Sequence, residues 1–342
     1  MKAWRVTELG EPAQVLRLVE LEEPELGPGQ VVVRTRAAAA NFPDVLMCRG
    51  EYQIKPELPF TPGVELCGEV VAVGADVDGI AIGDRVLGGT ALPWGGFAEL
   101  AVMDAADVFP APAALDDAEA AALFIGYQTG WFGLHRRAGL RAGETLLVHA
   151  AAGGVGSAAV QLGKAAGATV IGVVGSAAKA EVARALGADI VVDRSAQDFV
   201  SVVRDATDGR GADVVYDPVG GEVYQRSTKC IAFEGRILVV GFAGGQIQST
   251  ALNHALVKNY SILGLHWGLY RDKDPQAVRD CHLELTGLAE QGSVKPLIGE
   301  RLPLDNVAAG LQRLADGKTV GRVVFEPSTV PTEFDKENRN EQ

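Results

Sequence analysis

The sequence has few cysteines, and their spacing does not form a metal-binding or disulfide motif. Cys48, Cys67, Cys230 and Cys281 lie far apart in the 342 residues, and no Cys-x-x-Cys occurs. Such spacing predicts neither a disulfide framework nor a local zinc knuckle. The N-terminus also lacks an apolar core of signal-peptide length. We therefore expect a soluble, cytoplasmic protein with no membrane partner.

The sequence also has fewer basic than acidic residues. The chain has 31 Lys and Arg residues against 44 Asp and Glu residues, which gives a formal net charge of −13. An acidic chain without a basic cluster is a poor match for nucleic acid or an anionic membrane, so we expect neither partner. The length exceeds the roughly 250–300 residues at which single cores stop growing, which predicts two domains.

The most informative segment that is present is a glycine-rich turn. A buried strand over residues 146–148 leads through His149 into the turn, and a helix is predicted over Val155–Ala166. A strand, a glycine turn and a helix in this order bring backbone N–H groups and a helix N-terminus to a pyrophosphate. His149 is expected to be a packed or hydrogen-bonded histidine. The predicted phosphate-binding residues are Ala152, Gly153, Gly154, Val155 and Gly156.

Strands and helices alternate after this turn. The alternation predicts an α/β fold with a doubly wound parallel sheet of six strands, of the Rossmann type. Helices are predicted over residues 177–186 and 198–207. The strands after the first are predicted over residues 169–174, 190–192, 214–216, 236–240 and 261–265.

The end of the second of these strands indicates which dinucleotide is bound. NAD-binding folds place an acidic residue there to accept hydrogen bonds from the ribose 2′-hydroxyl. This chain has Gly175 and Ser176 instead, with Lys179 and Arg194 nearby in sequence to neutralise a 2′-phosphate. We therefore predict NADPH as the cofactor. The alternative for Lys179 is a solvated helix charge.

The N-terminal part has a different pattern. Short strands over residues 30–40, 68–73, 84–88 and 97–102 are separated by Gly and Pro turns, which predicts an all-β domain, a barrel. Beyond residue 265 a helix over 275–291, the segment 296–298, a helix over 305–316 and a last strand over 321–325 are expected to return to that domain. The polar tail, residues 328–342, is predicted to be disordered.

Several motifs together resemble one family. The sequence is similar to the medium-chain dehydrogenase/reductase superfamily over roughly residues 1–327, and within it to the zinc-free quinone oxidoreductase, or zeta-crystallin-like, branch. The resemblance implies a GroES-like substrate and catalytic domain over residues 1–124, a Rossmann NADPH-binding domain over 125–265 and a return to the catalytic domain over 266–327. The motifs that carry it lie at residues 41–44, 49–52, 59–65, 83–86, 95–99 and 149–156.

The resemblance also implies the site residues. Tyr52, Asn41 and Asp44 are expected to face the nicotinamide and the substrate, with Tyr52 donating to a carbonyl oxygen and Asn41 orienting the carbonyl or the carboxamide. Asn41 and Asp44 are also ordinary turn formers in a Gly- and Pro-rich loop. Thr129, Gly241 and Phe242 are implied cofactor contacts, core packing being the alternative for Phe242. Lys318 and Arg322 are left open between contact with the 2′-phosphate and solvated charge.

No metal is expected. Alcohol dehydrogenases of the superfamily use a cysteine in the segment that is Ala37–Ala40 here and a histidine at the position of Val64. A catalytic zinc needs three converging N, S or O ligands, and the sequence does not supply them. Leu46 and Val64 replace more polar residues of some relatives, which predicts a hydrophobic conjugated carbonyl compound as the substrate.

The sequence therefore predicts an NADPH:quinone oxidoreductase. An NADPH-dependent reductase of activated C=C bonds in enones or enoyl thioesters is the alternative, and a non-catalytic NADPH-binding protein is an alternative of another class. A homodimer is also expected, because the superfamily usually joins the edges of two nucleotide-domain sheets and residues 261–265 are predicted to form such an edge.

Overall fold

The computed structural model describes residues Met1–Pro327. The chain divides into two compact units. The N-terminal unit contains residues 1–125 and 295–327, and the central unit contains residues 126–294. Within the described residues, no helix has the length and apolar character that crossing a membrane requires. The predicted disorder of residues 328–342 lies outside the described part of the chain.

The first part of the N-terminal unit is rich in short strands. Its elements are β1 (Lys2–Val6), α1 (Pro12–Val15), β2 (Leu16–Glu20), β3 (Gln30–Ala39), α2 (Phe42–Arg49), β4 (Glu65–Val73), β5 (Arg85–Gly89), β6 (Leu100–Asp104), β7 (Val108–Pro110) and α3 (Asp117–Ala121). Helix α4 (Phe124–Trp131) crosses into the central unit and continues as a π-helical turn, Phe132–Arg137.

The central unit alternates strands and helices, and the chain then returns. The central elements are β8 (Thr145–His149), α5 (Gly154–Ala165), β9 (Thr169–Val174), α6 (Ala177–Ala185), β10 (Ile190–Asp193), α7 (Phe199–Ala206), β11 (Ala212–Asp217), α8 (Glu222–Ser227), β12 (Ile231–Val239), α9 (Leu252–Lys258), β13 (Ser261–Gly264), α10 (Gly268–Lys273) and α11 (Pro275–Glu290). The returning elements are β14 (Ile298–Pro303), α12 (Val307–Ala315) and β15 (Arg322–Glu326).

The six strands of the central unit form one parallel sheet, which confirms the predicted α/β fold. Their order is β10-β9-β8-β11-β12-β13, so the chain winds outward in one direction from β8 and then in the other from β11. Buried apolar residues fill the strands because helices cover both faces of such a sheet. Ligands of this architecture bind at the carboxyl edge, where the winding reverses, which is the edge at the ends of β8 and β11.

The N-terminal unit is built on a branched sheet, and the predicted β-rich character of this part is confirmed. Six strands run in the order β14-β15-β3-β4-β5-β7, and β6 pairs with β3. The returning strand β15 lies antiparallel to the end of β3, with Val324 opposite Ala39. This pairing brings the start of β15 close to the residues that follow β3. The strands of one hairpin, β1 and β2, were not predicted from the sequence.

One predicted domain boundary is wrong. The return to the N-terminal unit was expected at residue 266, and the structure places it at Lys295. Three contacts hold the intervening segment in the central unit. Trp267 Nε1 donates to Gln128 Oε1 at 3.2 Å, the rings of Phe132 and Tyr270 lie 4.3 Å apart, and Arg136 pairs with Asp274 at 2.8 Å.

Candidate functional site

Asn41 stands at the start of a helix rather than in a loop. The Gly- and Pro-rich surroundings indicated a turn, but Phe42–Arg49 is helical and Asn41 is its N-cap. Pro43 occupies the first turn, where a missing N–H costs nothing, and Asp44 reaches back to the Asn41 backbone N–H at 2.8 Å. Gly50, with φ of 71°, ends the helix. Asparagine and aspartate at these positions favour a helix start as much as a turn.

Asp44 is fully buried and binds backbone groups from two segments. Its Oδ2 accepts from Asn41, and its Oδ1 accepts from the N–H groups of Gly63 at 2.9 Å and Val64 at 3.2 Å. Burial raises the pKa of this carboxyl to about 7, although the three N–H donors favour the ionised form. Asp44 therefore joins the start of α2 to the Gly63–Val64 turn. A carboxyl enclosed in this way does not face a substrate.

A buried ion pair next to Asn41 was not predicted from the sequence. Glu65 and Arg322 form this pair, with 0 % and 4 % of their side chains exposed, and the pairing oxygen is Glu65 Oε1. Glu65 Oε1 also accepts from Asn41 Nδ2 at 2.8 Å, and Glu65 Oε2 accepts from the N–H of Ile125 at 2.7 Å. Arg322 is thus neither a solvated charge nor available to a phosphate.

Tyr52 and Val64 lie at the surface of the same core. Both are partly buried and pack against the hydrophobic cluster that contains Phe60, Phe97 and Phe325. Leu46, on α2, is also partly buried. Asp44 and Asn41 are therefore inside the N-terminal unit, while Tyr52, Val64 and Leu46 keep exposed surface.

The glycine turn of the central unit has the geometry that a pyrophosphate needs. Strand β8 ends at His149, α5 starts at Gly154, and the Gly153 N–H donates to the Ala150 carbonyl at 2.8 Å. A Cβ on Gly156 would lie 2.1 Å from the same carbonyl oxygen, so no larger residue fits without a backbone shift. The first-turn N–H groups of a helix have no intrahelical partner and attract anions. The predicted turn, Ala152 to Gly156, fits a dinucleotide.

Arg194 lies close to Gly175, as the predicted site for a 2′-phosphate requires. A Cβ on Gly175 would lie 3.5 Å from Arg194 Nε, so the guanidinium lies beside the end of β9. Ser176 is the N-cap of α6, and its Oγ accepts from the Lys179 N–H at 3.4 Å. The carboxylate that ends β10, Asp193, accepts from the N–H and the hydroxyl of Ser195. Arg194 forms no ion pair within residues 1–327.

His149 is a structural histidine, as predicted. Its Nε2 lies 2.8 Å from Ser227 Oγ, and its ring meets Phe199 edge-on at 4.9 Å between centroids. Burial, together with the charges of Arg194 and Arg226, lowers the pKa of His149 to about 3. The imidazole is therefore neutral near pH 7.

The remaining predicted cofactor residues lie in the central unit on two different segments. Thr129 is partly exposed on α4, and Gly241 follows β12 at the carboxyl edge of the sheet. Phe242 has 38 % of its surface exposed, which sets aside core packing as its role. A Cβ on Gly220 would meet the Phe242 ring at 2.9 Å, so this loop lies against the turn that follows β11.

Two comparisons with family models match the two units separately. Residues 27–113 match the model described as alcohol dehydrogenase GroES-like domain, and residues 154–282 match the model described as zinc-binding dehydrogenase. The units therefore define a medium-chain dehydrogenase/reductase with a GroES-like domain and a Rossmann domain.

Individual relatives match nearly the whole chain. It is 40 % identical to quinone oxidoreductase-like protein 2 homolog of Nematostella vectensis over 95 % of this chain and 88 % of that one. It is 36 % identical to quinone oxidoreductase of Pseudomonas aeruginosa over 92 % and 96 %. The crystal structure of Escherichia coli quinone oxidoreductase complexed with NADPH superimposes with a TM-score of 0.87 at 30 % identity, covering 96 % and 100 %. The chain belongs to the quinone oxidoreductase-like branch of the superfamily.

Proposed function

We propose that this protein is an NADPH-dependent, zinc-independent oxidoreductase that reduces quinones to hydroquinones. The observation that carries the proposal is the end of β9, where Gly175 and Ser176 stand in place of an acidic residue and Arg194 lies beside them. Arginine and a hydroxyl group at this position suit a 2′-phosphate. The Escherichia coli relative complexed with NADPH supports the same cofactor. The names of the relatives support a quinone as the acceptor.

We assign cofactor binding, hydrogen bonding to the acceptor and positioning to different residues of the chain. NADPH, when bound, supplies the hydride that reduces the acceptor. We assign the pyrophosphate to the turn from Ala152 to Gly156, and contacts along the cofactor to Thr129, Gly241 and Phe242. Tyr52 donates a hydrogen bond to the acceptor oxygen, where negative charge develops. Asp44 is a positioning residue, because its oxygens hold the backbone of Asn41, Gly63 and Val64.

Zinc-containing members of the superfamily hold their catalytic metal at a position that Asn41, Val64 and Glu65 surround in this chain. The chemistry of these three residues supports zinc-independence. Asn41 directs its amide nitrogen at oxygen atoms, and Glu65 already compensates Arg322. Val64 offers no donor atom. A quinone needs no strong Lewis acid, because the ring becomes aromatic as it is reduced.

A turnover panel tests the activity. NADPH consumption is followed spectrophotometrically with phenanthrenequinone, para-benzoquinone, an aliphatic enone and a crotonyl thioester, and each assay is repeated with NADH. We expect turnover of the quinones, a preference for NADPH and no effect of a chelator. Turnover of the enone or the thioester alone would assign the chain to alkene reduction. NADPH binding without turnover would assign it to the non-catalytic class.

The cofactor preference is expected to depend on Arg194. Arg194→Ala should raise the dissociation constant of NADPH about tenfold, which corresponds to one charge-assisted hydrogen bond, and leave that of NADH unchanged. The measurement is a fluorescence titration with both dinucleotides. Arg184→Ala is the matched control, since Arg184 is exposed on α6 and pairs with Glu181. Equal losses for NADPH and NADH would contradict the assignment of Arg194 to the 2′-phosphate.

We also propose that two copies associate through the free edge of the central sheet. Strand β13 is the last strand of the sheet and pairs only with β12, which leaves its other edge unpaired within the described chain. Helix α9, just before it, has no buried residue and exposes Leu252, Leu256 and Val257. An unpaired strand edge beside exposed apolar side chains is typical of a surface that another copy covers.

Light scattering is expected to give a dimer mass for the wild type, about twice the 35.8 kDa of the chain. Leu256→Asp should shift the protein to monomers, because it places a charge in the apolar surface. The control is Leu283→Asp on α11, since Leu283 is 70 % exposed and Leu256 is 76 % exposed. A wild-type monomer, or an equal effect of both variants, would contradict the proposal.

A further inference from the structure

The side-chain amide of Asn41 is surrounded by acceptors on its nitrogen side. Nδ2 donates to the Ala39 carbonyl at 3.1 Å and to Glu65 Oε1 at 2.8 Å. A primary amide nitrogen carries two hydrogen atoms, so these two contacts use its whole donor capacity. Asn41 therefore has no N–H left for a substrate or a cofactor.

The network also prevents the amide from turning over. A rotation by half a turn would place Oδ1 against two oxygen atoms and leave Glu65 Oε1 without this donor. Glu65 is itself held on both oxygens, by Arg322 at Oε1 and by the Ile125 N–H at Oε2. Asp44 holds the Asn41 backbone from the other side. The orientation of the amide is thus set by its neighbours.

The remaining polar atom of the side chain is the oxygen. Asn41 is 5 % exposed, and its Oδ1 faces the Asp44 N–H in the capping box at the start of α2, which leaves one of its two lone pairs for a further donor. A carbonyl oxygen accepts hydrogen bonds and repels an oxyanion.

We infer that the buried Glu65–Arg322 pair is a positioning device that fixes Asn41 as a hydrogen-bond acceptor, so that Asn41 recognises an N–H or O–H donor of the ligand. This inference rests on the proposed function, because that function identifies the ligands as NADPH and a quinone. Two donors are available in that reaction: the carboxamide N–H of the nicotinamide and the hydroxyl of the reduced acceptor. Stabilisation of the developing oxyanion then falls to Tyr52 and not to Asn41.

The positioning step is tested without any ligand. The chain has six asparagines, so labelling with nitrogen-15 asparagine gives six side-chain amide signals. We expect one NH₂ pair, absent from Asn41→Ala, to exchange slowly with solvent, and to exchange about tenfold faster or more in Glu65→Gln, because a Gln amide cannot accept from all three donors that surround Glu65.

Two further variants control this measurement. Arg322→Lys keeps the cation but loses the guanidinium geometry, so it should also speed the exchange and serves if Glu65→Gln does not fold. Arg301→Gln breaks exposed ion pairs with Asp116 and Glu326 and should leave the exchange of the Asn41 amide unchanged. If no pair is protected in the wild type, or if neither Glu65→Gln nor Arg322→Lys alters the protection, the positioning role is refuted.

The acceptor role is tested by removing the donor from the ligand. The acetylpyridine analogue of the oxidised cofactor replaces the carboxamide NH₂ by methyl and keeps the carbonyl. If the carboxamide is the donor, the analogue should bind about tenfold more weakly than NADP to the wild type and nearly as well as NADP to Asn41→Ala. If the reduced acceptor is the donor, the ratio of hydroquinone to quinone affinity should instead fall in Asn41→Ala. If neither ratio responds, the acceptor role is wrong, whereas failure of the proposed function would show as no dinucleotide binding at all.

Discussion

The variant Arg322→Met is expected to lose about 3–5 kcal/mol of the free energy of unfolding. The substitution removes the cation and leaves the Glu65 carboxylate fully buried without a compensating charge. Two other donors remain on Glu65, from Asn41 and Ile125, but neither carries a charge. Denaturant unfolding at neutral pH, followed by circular dichroism, measures the loss.

Two comparison variants distinguish the loss of this buried charge from the loss of an arginine at the surface. Arg301→Met breaks exposed ion pairs with Asp116 and Glu326, and such pairs contribute about 0–1 kcal/mol each. The double variant Glu65→Gln with Arg322→Met removes both charges and should recover part of the stability lost in the single variant. A loss in Arg322→Met no greater than that in Arg301→Met would show that the pair is not buried in solution.

The central unit follows from local sequence patterns. The predicted strands are short apolar runs with predicted helices between the first four of them, so their order in the chain already indicates a parallel sheet with helices on both faces. The short helices α8, α9 and α10 were not predicted from the sequence. The glycine turn could be located for the same reason, because strand, turn and helix are adjacent in sequence. The boundary near residue 266 could not be located. It depends on how Trp267 and Tyr270 pack against α4 and the turn after it, which are distant in sequence.

Less of the site in the N-terminal unit could be predicted from the sequence. Asn41 and Asp44 were selected by resemblance, but the motif does not show that Asp44 is an internal acceptor for three backbone N–H groups. Glu65 and Arg322 are 257 positions apart, and the pairing of β15 with β3 brings them together. Charged residues are mostly exposed, so burial of this pair had no signal in composition or spacing. The glutamate within the Gly63–Val64–Glu65 motif was the one available hint.

The variant Gly156→Ala is expected to weaken dinucleotide binding about 100-fold or more, a loss of roughly 2.7 kcal/mol of binding free energy. The added Cβ would lie 2.1 Å from the Ala150 carbonyl oxygen. Because this oxygen is a backbone atom, a change of side-chain rotamer cannot relieve the clash. The turn must therefore open, and the first-turn N–H groups of α5 then move away from the positions at which they meet phosphate oxygens. A fluorescence titration with NADPH measures the loss, for which thermal unfolding provides the fold control.

Gly287→Ala is the matched control, because Gly287 lies in α11 and its Cβ would meet nothing within 4 Å. In that helix alanine should raise stability by about 0.5–1 kcal/mol and leave binding unchanged. The comparison separates the effect of adding a methyl group to any helical glycine from the effect of adding it at residue 156. Should Gly156→Ala fold and bind NADPH as the wild type does, the turn after β8 would not be the pyrophosphate site. The assignment of the cofactor to the carboxyl edge of the sheet would then fall with it, because that edge is where β8 and its turn place the ligand.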